Sequence, residues 1–301
     1  MNFNAQTPLD QFLSILFERY MENVPDVKKI TQSLISKGII GSQDEIVNDH
    51  IAFRTLGVPH LGMASLEKIF LANGYKRMEP YFFKEKKLDA FWYAPPSPAY
   101  PRIFVSELRV QDLSPEAQSI IHKYTDGITA DPVDSIDLNN GEAIGEFLHQ
   151  PLWSTPTKED YATLLNESEY AAWVIYNRYY LNHYTISVHA LKEGYNKLYQ
   201  FNELLESIGV KLNTSGGKIK ESADGLLLQS STVAPMNEVE FAGGEKMSIA
   251  GSYVEFAERR VLPQFAHLDA KDVSREHRRD GFEANNADKI FESTYTEQIN
   301  R

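Results

Sequence analysis

The 301-residue chain contains no cysteine. This absence excludes a disulfide framework, a thiol nucleophile, a thiolate metal site and an iron–sulfur cluster. Any metal ion must be held by nitrogen and oxygen ligands, so histidine, aspartate and glutamate are the candidate donors. The nucleophile elbow Gly-x-Ser-x-Gly and the phosphate-binding P-loop are also missing from the sequence.

Positive charge is in short supply, with 30 lysines and arginines against 42 acidic residues and a formal net charge of −12. An acidic surface repels phosphate groups, so we expect neither a nucleic-acid partner nor a membrane partner. No apolar run approaches transmembrane length, and acidic residues interrupt the first 25 residues, which therefore predict a helix and not a signal peptide. A cytoplasmic protein of undetermined oligomeric state is expected.

The first half of the chain predicts one strand, one helix and three strands. Two helices, at 8–24 and 26–37, come before this unit. The unit itself consists of a strand at 46–55, a helix within "GMASLEKIFLANGY", and strands at 79–85, 88–94 and 102–110. Its order is therefore βαβββ.

The same order returns after a helical stretch at 111–178. A strand at 182–191 precedes a helix that ends at Gly209, and strand candidates come next at about 217–221, 225–233 and 249–258. The sequence thus predicts an α+β fold with paired βαβββ modules in one compact domain. Its parts are the N-terminal helices (1–45), the first module (46–110), the helical insertion (111–178), the second module (179–262) and a tail with a short helix (263–301).

Two of the predicted strands carry polar residues opposite their apolar residues, and each contains an Asx-His pair near its start. In "NDHIAFRT", His50, Ala52 and Arg54 share one face, because alternate side chains of a strand point the same way. In "NHYTISVHAL", the corresponding face carries His183, Thr185, Ser187 and His189. If helices cover the apolar faces, the polar faces line the concave side of a curved sheet.

A glutamate completes a candidate metal site. Glu255 lies inside the last predicted strand of the second module, and with His50 and His183 it forms a 2-His-1-carboxylate set. This set is typical of non-haem Fe(II) oxygenases, although Zn, Mn, Ni and Co accept the same donors. Glu107 occupies the matching place in the first module, where it is either a solvated edge residue or a fourth ligand.

Several motifs also resemble known families. "NHYTISVHAL", "DGLLLQSST" and "SYVEFAER" resemble, in this order, the metal-binding half of 4-hydroxyphenylpyruvate dioxygenase, a vicinal oxygen chelate protein. "HIAFRT", "FVSEL" and "GFEANNADKIFEST" resemble signatures of the 2-oxoadipate dioxygenase/decarboxylase family, and this second resemblance extends over most of the chain. It implies a curved, half-open barrel of the vicinal oxygen chelate type with added helices.

The resemblance also implies roles for individual residues. His50, His183 and Glu255 would be the metal ligands, Arg54 would bind a substrate carboxylate, and Gln229 would orient the substrate. We also expect Ser187 to contact the substrate. Three arginines of the tail could provide a second carboxylate contact if the tail closes the cavity, although a solvated tail is the simpler expectation: Arg275, Arg278 and Arg279.

The implied reaction is the Fe(II)-dependent conversion of 2-oxoadipate and O2 to 2-hydroxyglutarate and CO2, a step of lysine degradation. Two alternatives stay open at this point. One is a Zn- or Ni-dependent hydrolase, isomerase or lyase on the same scaffold, which would be favoured by four protein ligands including Glu107. The other is a non-catalytic protein that binds a small anion in the same cavity.

Overall fold

The computed structural model describes residues 6–301, so the first five residues of the predicted N-terminal region lie outside the described part. Eight strands form one curled sheet in the order β2-β3-β4-β1-β5-β10-β7-β6. Two further strands, β8 and β9, form a separate hairpin. The strands are β1 (Asn48–Leu56), β2 (Lys76–Phe83), β3 (Leu88–Ala94), β4 (Arg102–Leu108), β5 (His183–Ser187), β6 (Lys220–Glu221), β7 (Leu227–Ser231), β8 (Met236–Glu240), β9 (Lys246–Ala250) and β10 (Tyr253–Arg259).

The two modules meet at the centre of the large sheet. β1 pairs in parallel with β4, and β5 pairs in parallel with β10, so each module joins its first strand to its last. β1 and β5 then pair antiparallel, with Ala52 opposite His183. This junction brings the histidine strands of the two modules side by side, and the predicted α+β fold with paired modules is confirmed.

Ten helices occur within residues 6–301. Pro8 and Pro25 begin the first two, as expected for a residue whose missing N–H would be unpaired there anyway. The helices are α1 (Pro8–Asn23), α2 (Pro25–Ser36), α3 (Met63–Ala72), α4 (Pro115–Thr125), α5 (Gly141–Phe147), α6 (Lys158–Glu167), α7 (Glu169–Asn177), α8 (Leu198–Ser207), α9 (Ala284–Phe291) and α10 (Thr296–Asn300).

The module helices cover the apolar faces of the strands. Phe53 of β1 packs against Phe70 of α3, with ring centroids 5.5 Å apart. Phe256 of β10 packs in the same way against Phe201 of α8, at 5.2 Å. Burial of these faces stabilises the sheet by about 25 cal/mol per Å² of apolar surface. The opposite faces, which carry the histidines, are therefore left to line the concave side.

The second module departs in detail from the predicted strands. β5 ends at Ser187 because the chain turns into a short 3-10 helix at Val188–Ala190, and β6 is only two residues long. The β8–β9 hairpin is not predicted from the sequence. Its strands place polar residues at exposed positions, and Gly243 and Gly244 adopt positive φ in the turn between them. Such a hairpin lacks the long apolar run that identifies a buried strand.

Within residues 6–301, every helix is either too short or too polar to cross a membrane.

Candidate metal centre and substrate pocket

The structure brings together the three residues selected as metal ligands. His50, His183 and Glu255 lie on the adjacent strands β1, β5 and β10, and one ligand atom from each falls within 4.8 Å of the others. Glu255 Oε2 is 3.4 Å from His50 Nε2 and 3.1 Å from His183 Nε2. All three side chains are buried. The predicted triad therefore exists as a compact group of two imidazoles and one carboxylate.

Each histidine is oriented by the side chain that precedes it. His50 Nδ1–H donates to Asp49 Oδ1 at 2.8 Å, and His183 Nδ1–H donates to Asn182 Oδ1 at 3.0 Å. Because Nδ1 is engaged in this way, Nε2 of each ring is left to face the centre of the triad. Asp49 and Asn182 therefore orient the histidines of the two modules in the same way, through a carboxylate in the first module and a neutral amide in the second.

Charge within the triad keeps the carboxylate ionised. Burial alone would raise the pKa of Glu255, but His50 and His183 outweigh it and hold that pKa well below its usual range. Burial lowers the pKa of His183, which favours the neutral imidazole that binds metals. For His50, burial is opposed by Glu255 and Asp49, and its pKa is raised.

Glu255 Oε1 is held by two consecutive side-chain hydrogen bonds. Gln229 Nε2 donates to Glu255 Oε1 at 2.6 Å, and Asn286 Nδ2 of α9 donates to Gln229 Oε1 at 3.0 Å. Gln229, which is predicted to orient substrate, borders the pocket. Its amide N–H, however, donates to the carboxylate of Glu255. A carboxylate fixed in this way leaves one oxygen, Oε2, directed at the two histidines.

Residues 282–294 lie over the triad, and we call them the covering segment. Phe282 packs edge-on against the His50 ring, with centroids 4.8 Å apart, and Phe291 packs against Phe104 of β4. The free volume of the pocket is about 20 Å³, which holds about one water molecule. The pocket is lined by His50, Phe104, His183, Gln229, Tyr253, Glu255, Phe282, Ala287, Ile290 and Phe291.

Arg54 is buried beside this pocket, with 1% of its surface exposed. Its guanidinium donates to Thr294 Oγ1 at 2.9 Å and to the Phe291 carbonyl at 3.0 Å. The rings of Tyr170, Trp173 and Phe291 lie 5.0–5.7 Å from its central carbon. Within residues 6–301, Arg54 forms no ion pair, and its Nε has no hydrogen-bond partner. A buried cation therefore lies next to the triad without a counter-ion.

Glu107 and Ser187 lie outside the triad and its pocket. Glu107 accepts the backbone N–H of Met63 at 2.7 Å, at the start of α3. The structure therefore does not bring it to the triad as a fourth ligand. Ser187 borders a second cavity of about 330 Å³, which Asp49 also lines. We call this the arginine cavity, because four of its lining residues are Arg102, Arg259, Arg275 and Arg278.

None of the three tail arginines lines the pocket over the triad. Arg275 and Arg278 line the arginine cavity, and Arg279 pairs with Asp224 and Glu283. The expectation of a solvated tail holds only in part, because these three arginines are half-buried whereas the neighbouring Glu276 and Asp280 are exposed.

Sequence reasoning misses several residues that complete the site. The sequence indicates Asp49 and Asn182 only as a repeat, and Thr185, whose Oγ1 is 3.0 Å from His50 Nε2, only as a polar-face residue. Arg259 immediately follows the run "YVEFAE", yet nothing in the sequence shows that it reaches Asp49 in the other module. For Asp49 and Asn182, the sequence signal is that each directly precedes the histidine of its module.

The donor set fits a divalent transition metal. Two imidazole nitrogens and one carboxylate oxygen converge, each is oriented by a further hydrogen bond, and the chain has no thiolate to offer. Three protein ligands leave coordination positions open for substrate, as in the 2-His-1-carboxylate oxygenases. The geometry is thus suited to a metal that binds an exogenous oxygen ligand.

Comparisons with known proteins converge on one family. The family model described as 2-oxoadipate dioxygenase/decarboxylase matches residues 12–271. A chloroplastic protein of that name from Arabidopsis thaliana is 42% identical over 94% of this chain and 76% of its own length. A chloroplastic/amyloplastic relative of the same name from Oryza sativa subsp. japonica is 44% identical over 94% and 77%.

Solved structures agree with the sequence comparisons. The hydroxyglutarate synthase from Oryza sativa, crystallised in complex with 2-oxoadipate, superposes with a TM-score of 0.87 at 43% identity, over 96% of this chain and 93% of the other. A protein from Ralstonia eutropha that is provisionally assigned to the glyoxalase superfamily shares the fold, with a TM-score of 0.71 at 21% identity over 92% and 87%.

Proposed function

The chain belongs to the 2-oxoadipate dioxygenase/decarboxylase family, and we propose that it is an Fe(II)-dependent enzyme that converts 2-oxoadipate and O2 to 2-hydroxyglutarate and CO2. The family assignment supports the reaction class, and the rice structure was solved with 2-oxoadipate bound. We assign substrate choice, metal binding and the exclusion of water to separate groups of residues around the triad.

We assign the selection of a diacid substrate to Arg54, whose guanidinium has no counter-ion. Its present partners, Thr294 Oγ1 and the Phe291 carbonyl, are neutral, so its charge is uncompensated. A carboxylate can replace them in a bidentate pair, a geometry for which the planar guanidinium is suited. Arg54 lies four residues, or roughly 13 Å of strand, from His50. The far carboxylate of a six-carbon diacid can therefore meet Arg54 while its 2-oxo acid end reaches the triad.

His50, His183 and Glu255 would hold the metal ion. When bound, Fe(II) supplies the activation of O2 and of the 2-oxo acid, chemistry that no side chain provides. The donor set also accepts Zn, Ni, Mn or Co, so a purified sample can carry one of these in place of iron. Gln229 holds Glu255 Oε1 through a hydrogen bond. We propose that it also orients the substrate, since it borders the pocket.

The covering segment leaves little free volume in the pocket. A free volume of about 20 Å³ is too small for a six-carbon diacid, so this segment moves when substrate enters. Its aromatic residues Phe282 and Phe291 then exclude water from the reacting end. The hydrogen bonds from Arg54 to Phe291 and Thr294 are the contacts that the substrate carboxylate replaces.

The location and the role of Ser187 stay predictions. The relatives from Arabidopsis and rice are named as chloroplastic or chloroplastic/amyloplastic, and we propose a cytoplasmic location for this chain only on its own sequence. Ser187 borders the arginine cavity, so a substrate contact would require it to act from outside the pocket over the triad.

The test is an oxygen-uptake assay on protein loaded anaerobically with Fe(II). We expect 2-oxoadipate to cause O2 consumption with formation of 2-hydroxyglutarate, and 2-oxohexanoate, which lacks the far carboxylate, to be a poor substrate. His183→Ala should lose the metal, whereas His122→Ala, a partly exposed histidine on α4, should keep it.

Arg54→Gln separates substrate recognition from metal binding. It should retain iron while the KM for 2-oxoadipate rises about 100-fold, because one charge-assisted pair contributes roughly 1.5–3 kcal/mol. Absence of O2 uptake from protein with stoichiometric iron would refute the proposed reaction. An unchanged KM in Arg54→Gln would refute the role of Arg54 alone.

A further inference from the structure

The arginine cavity is separate from the pocket over the triad. It has a volume of about 330 Å³ and shares none of its lining residues with that pocket. Arg102 of β4 and Arg259 of β10 form its inner wall, next to Asp49. Arg275 and Arg278, from the segment after β10, form part of its outer wall. The cavity is therefore distinct from the pocket to which we assign the reacting end of the substrate.

Two of the four arginines have no counter-ion. Arg259 is paired with Asp49 and Arg102 with Asp280, at 2.7 Å and 2.5 Å. Arg275 and Arg278, by contrast, form no ion pair within the part of the chain that the structure describes. They donate only to backbone carbonyls, which do not neutralise their charge. The four arginines outnumber Asp49 and Asp280, and Glu258 also acts on Arg278 from nearby without forming an ion pair with it, so the cavity carries a net positive charge in a protein whose net charge is −12.

A buried donor in the inner wall also lacks a partner. Arg102 is 2% exposed, and its Nη2 is buried without a hydrogen bond. A buried guanidinium N–H without an acceptor costs about 1–3 kcal/mol, so proteins rarely retain one that nothing occupies. Because this nitrogen has no accessible surface, an anion in the cavity would reach it only if the side chain of Arg102 moved, and anion binding in the cavity therefore depends on Arg275 and Arg278.

We propose that the arginine cavity binds a small dianion, of the class formed by short dicarboxylates and inorganic phosphate. Two uncompensated guanidiniums match two negative charges, and planar guanidinium groups bind both carboxylate and phosphate oxygens. A volume of about 330 Å³ accommodates a five-carbon dicarboxylate. Two buried and two half-buried arginines around a cavity of this size favour such a small ligand over an extended polyanion.

The experiment is calorimetric titration of the metal-loaded protein with glutarate and, separately, with inorganic phosphate. Glutarate carries two carboxylates but no 2-oxo group. We expect saturable binding of one equivalent of at least one of these anions at millimolar concentration. Binding of phosphate alone identifies the site as a phosphate site, and binding of glutarate identifies it as a dicarboxylate site. If neither binds the wild-type protein, the proposal is wrong.

Variants assign the binding to this cavity. The double variant Arg275→Gln/Arg278→Gln should weaken the affinity at least about tenfold, and Arg278→Lys should retain part of it. Arg260→Gln removes an adjacent, more exposed arginine and should change nothing. Arg54→Gln should also leave this binding intact, because Arg54 lies at the other pocket. Loss of all binding in Arg54→Gln, or unchanged affinity in the double variant with its fold verified by circular dichroism, overturns the proposal.

Discussion

Arg259 of the second module binds Asp49 of the first through two hydrogen bonds, from Nε at 2.7 Å and from Nη2 at 2.9 Å. Both side chains are buried, and Arg102 adds a weaker contact to the same carboxylate at 3.4 Å. Burial alone would raise the pKa of Asp49, but Arg259 and Arg102 lower it well below its usual range. The carboxylate that orients His50 therefore stays ionised because the other module supplies its counter-ion.

Replacement of Arg259 by glutamine should destabilise the protein by about 3 kcal/mol, because it leaves Asp49 buried without its main counter-ion. Urea denaturation followed by circular dichroism measures this change. Arg260→Gln is the matched control, since its ion pairs with Glu221 and Glu258 are longer, at 3.6 Å, and Arg260 is exposed. Equal stability of the two variants would show that the Arg259–Asp49 pair does not hold the modules together.

Asn182→Ala should weaken metal binding about tenfold without unfolding the protein, because it removes the acceptor for His183 Nδ1–H. The backbone hydrogen bonds of Asn182 with Ala52 and Tyr253 do not depend on its side chain and are retained. Competitive titration with a metal chelator measures the affinity. Asn182→Asp restores an acceptor and serves as the control. A wild-type affinity in Asn182→Ala would contradict the orienting role.

Ala287→Leu should raise the KM for 2-oxoadipate by at least about tenfold, because the added carbons occupy a pocket that has almost no free volume. Leucine is also a good helix former, so α9 should persist. The iron content should be unchanged. Steady-state O2 uptake and metal analysis give the two readouts, with the exposed Ala266→Leu as the control. If substrate enters without contact to α9, the KM will not move.

His189 should make the protein sensitive to acid. Burial lowers its pKa to about 4, with Arg278 and Arg259 acting in the same direction and Asp49 opposing them. Between the ordinary value near 6.5 and about 4, the unfolded chain takes up a proton that the folded protein does not, so stability falls as the pH falls. At pH 5 this contribution is about 1 kcal/mol after allowance for partial exposure.

His189→Asn tests this prediction, because asparagine can still accept the backbone N–H of Arg259. Urea denaturation at pH 7 and pH 5 should show a smaller loss of stability in the variant than in the wild type. The partly exposed His122→Asn is the control and should behave like the wild type. An equal pH dependence in His189→Asn would mean that other groups cause the acid sensitivity.

Much of the site can be predicted because its signals are local. The alternation in "NDHIAFRT" and "NHYTISVHAL" places His50 and His183 on polar faces, and the repeated order βαβββ supplies the reason to pair them. The strand that contains Glu255 completes the donor set. His50 and His183 belong to different modules, so the alternation within each strand gives the face of each histidine, and only the repeat indicates that the two strands are related.

The sequence by itself therefore determined the fold class, the three candidate metal ligands and the absence of thiol chemistry. Only the tertiary structure decided that Arg54 is buried without a counter-ion, that Glu107 lies at the start of α3 away from the triad, and that Arg259 reaches Asp49 across the modules. It also decided that residues 282–294 cover the pocket. These relations join residues far apart in the chain, and they depend on how whole elements pack, which no local periodicity encodes.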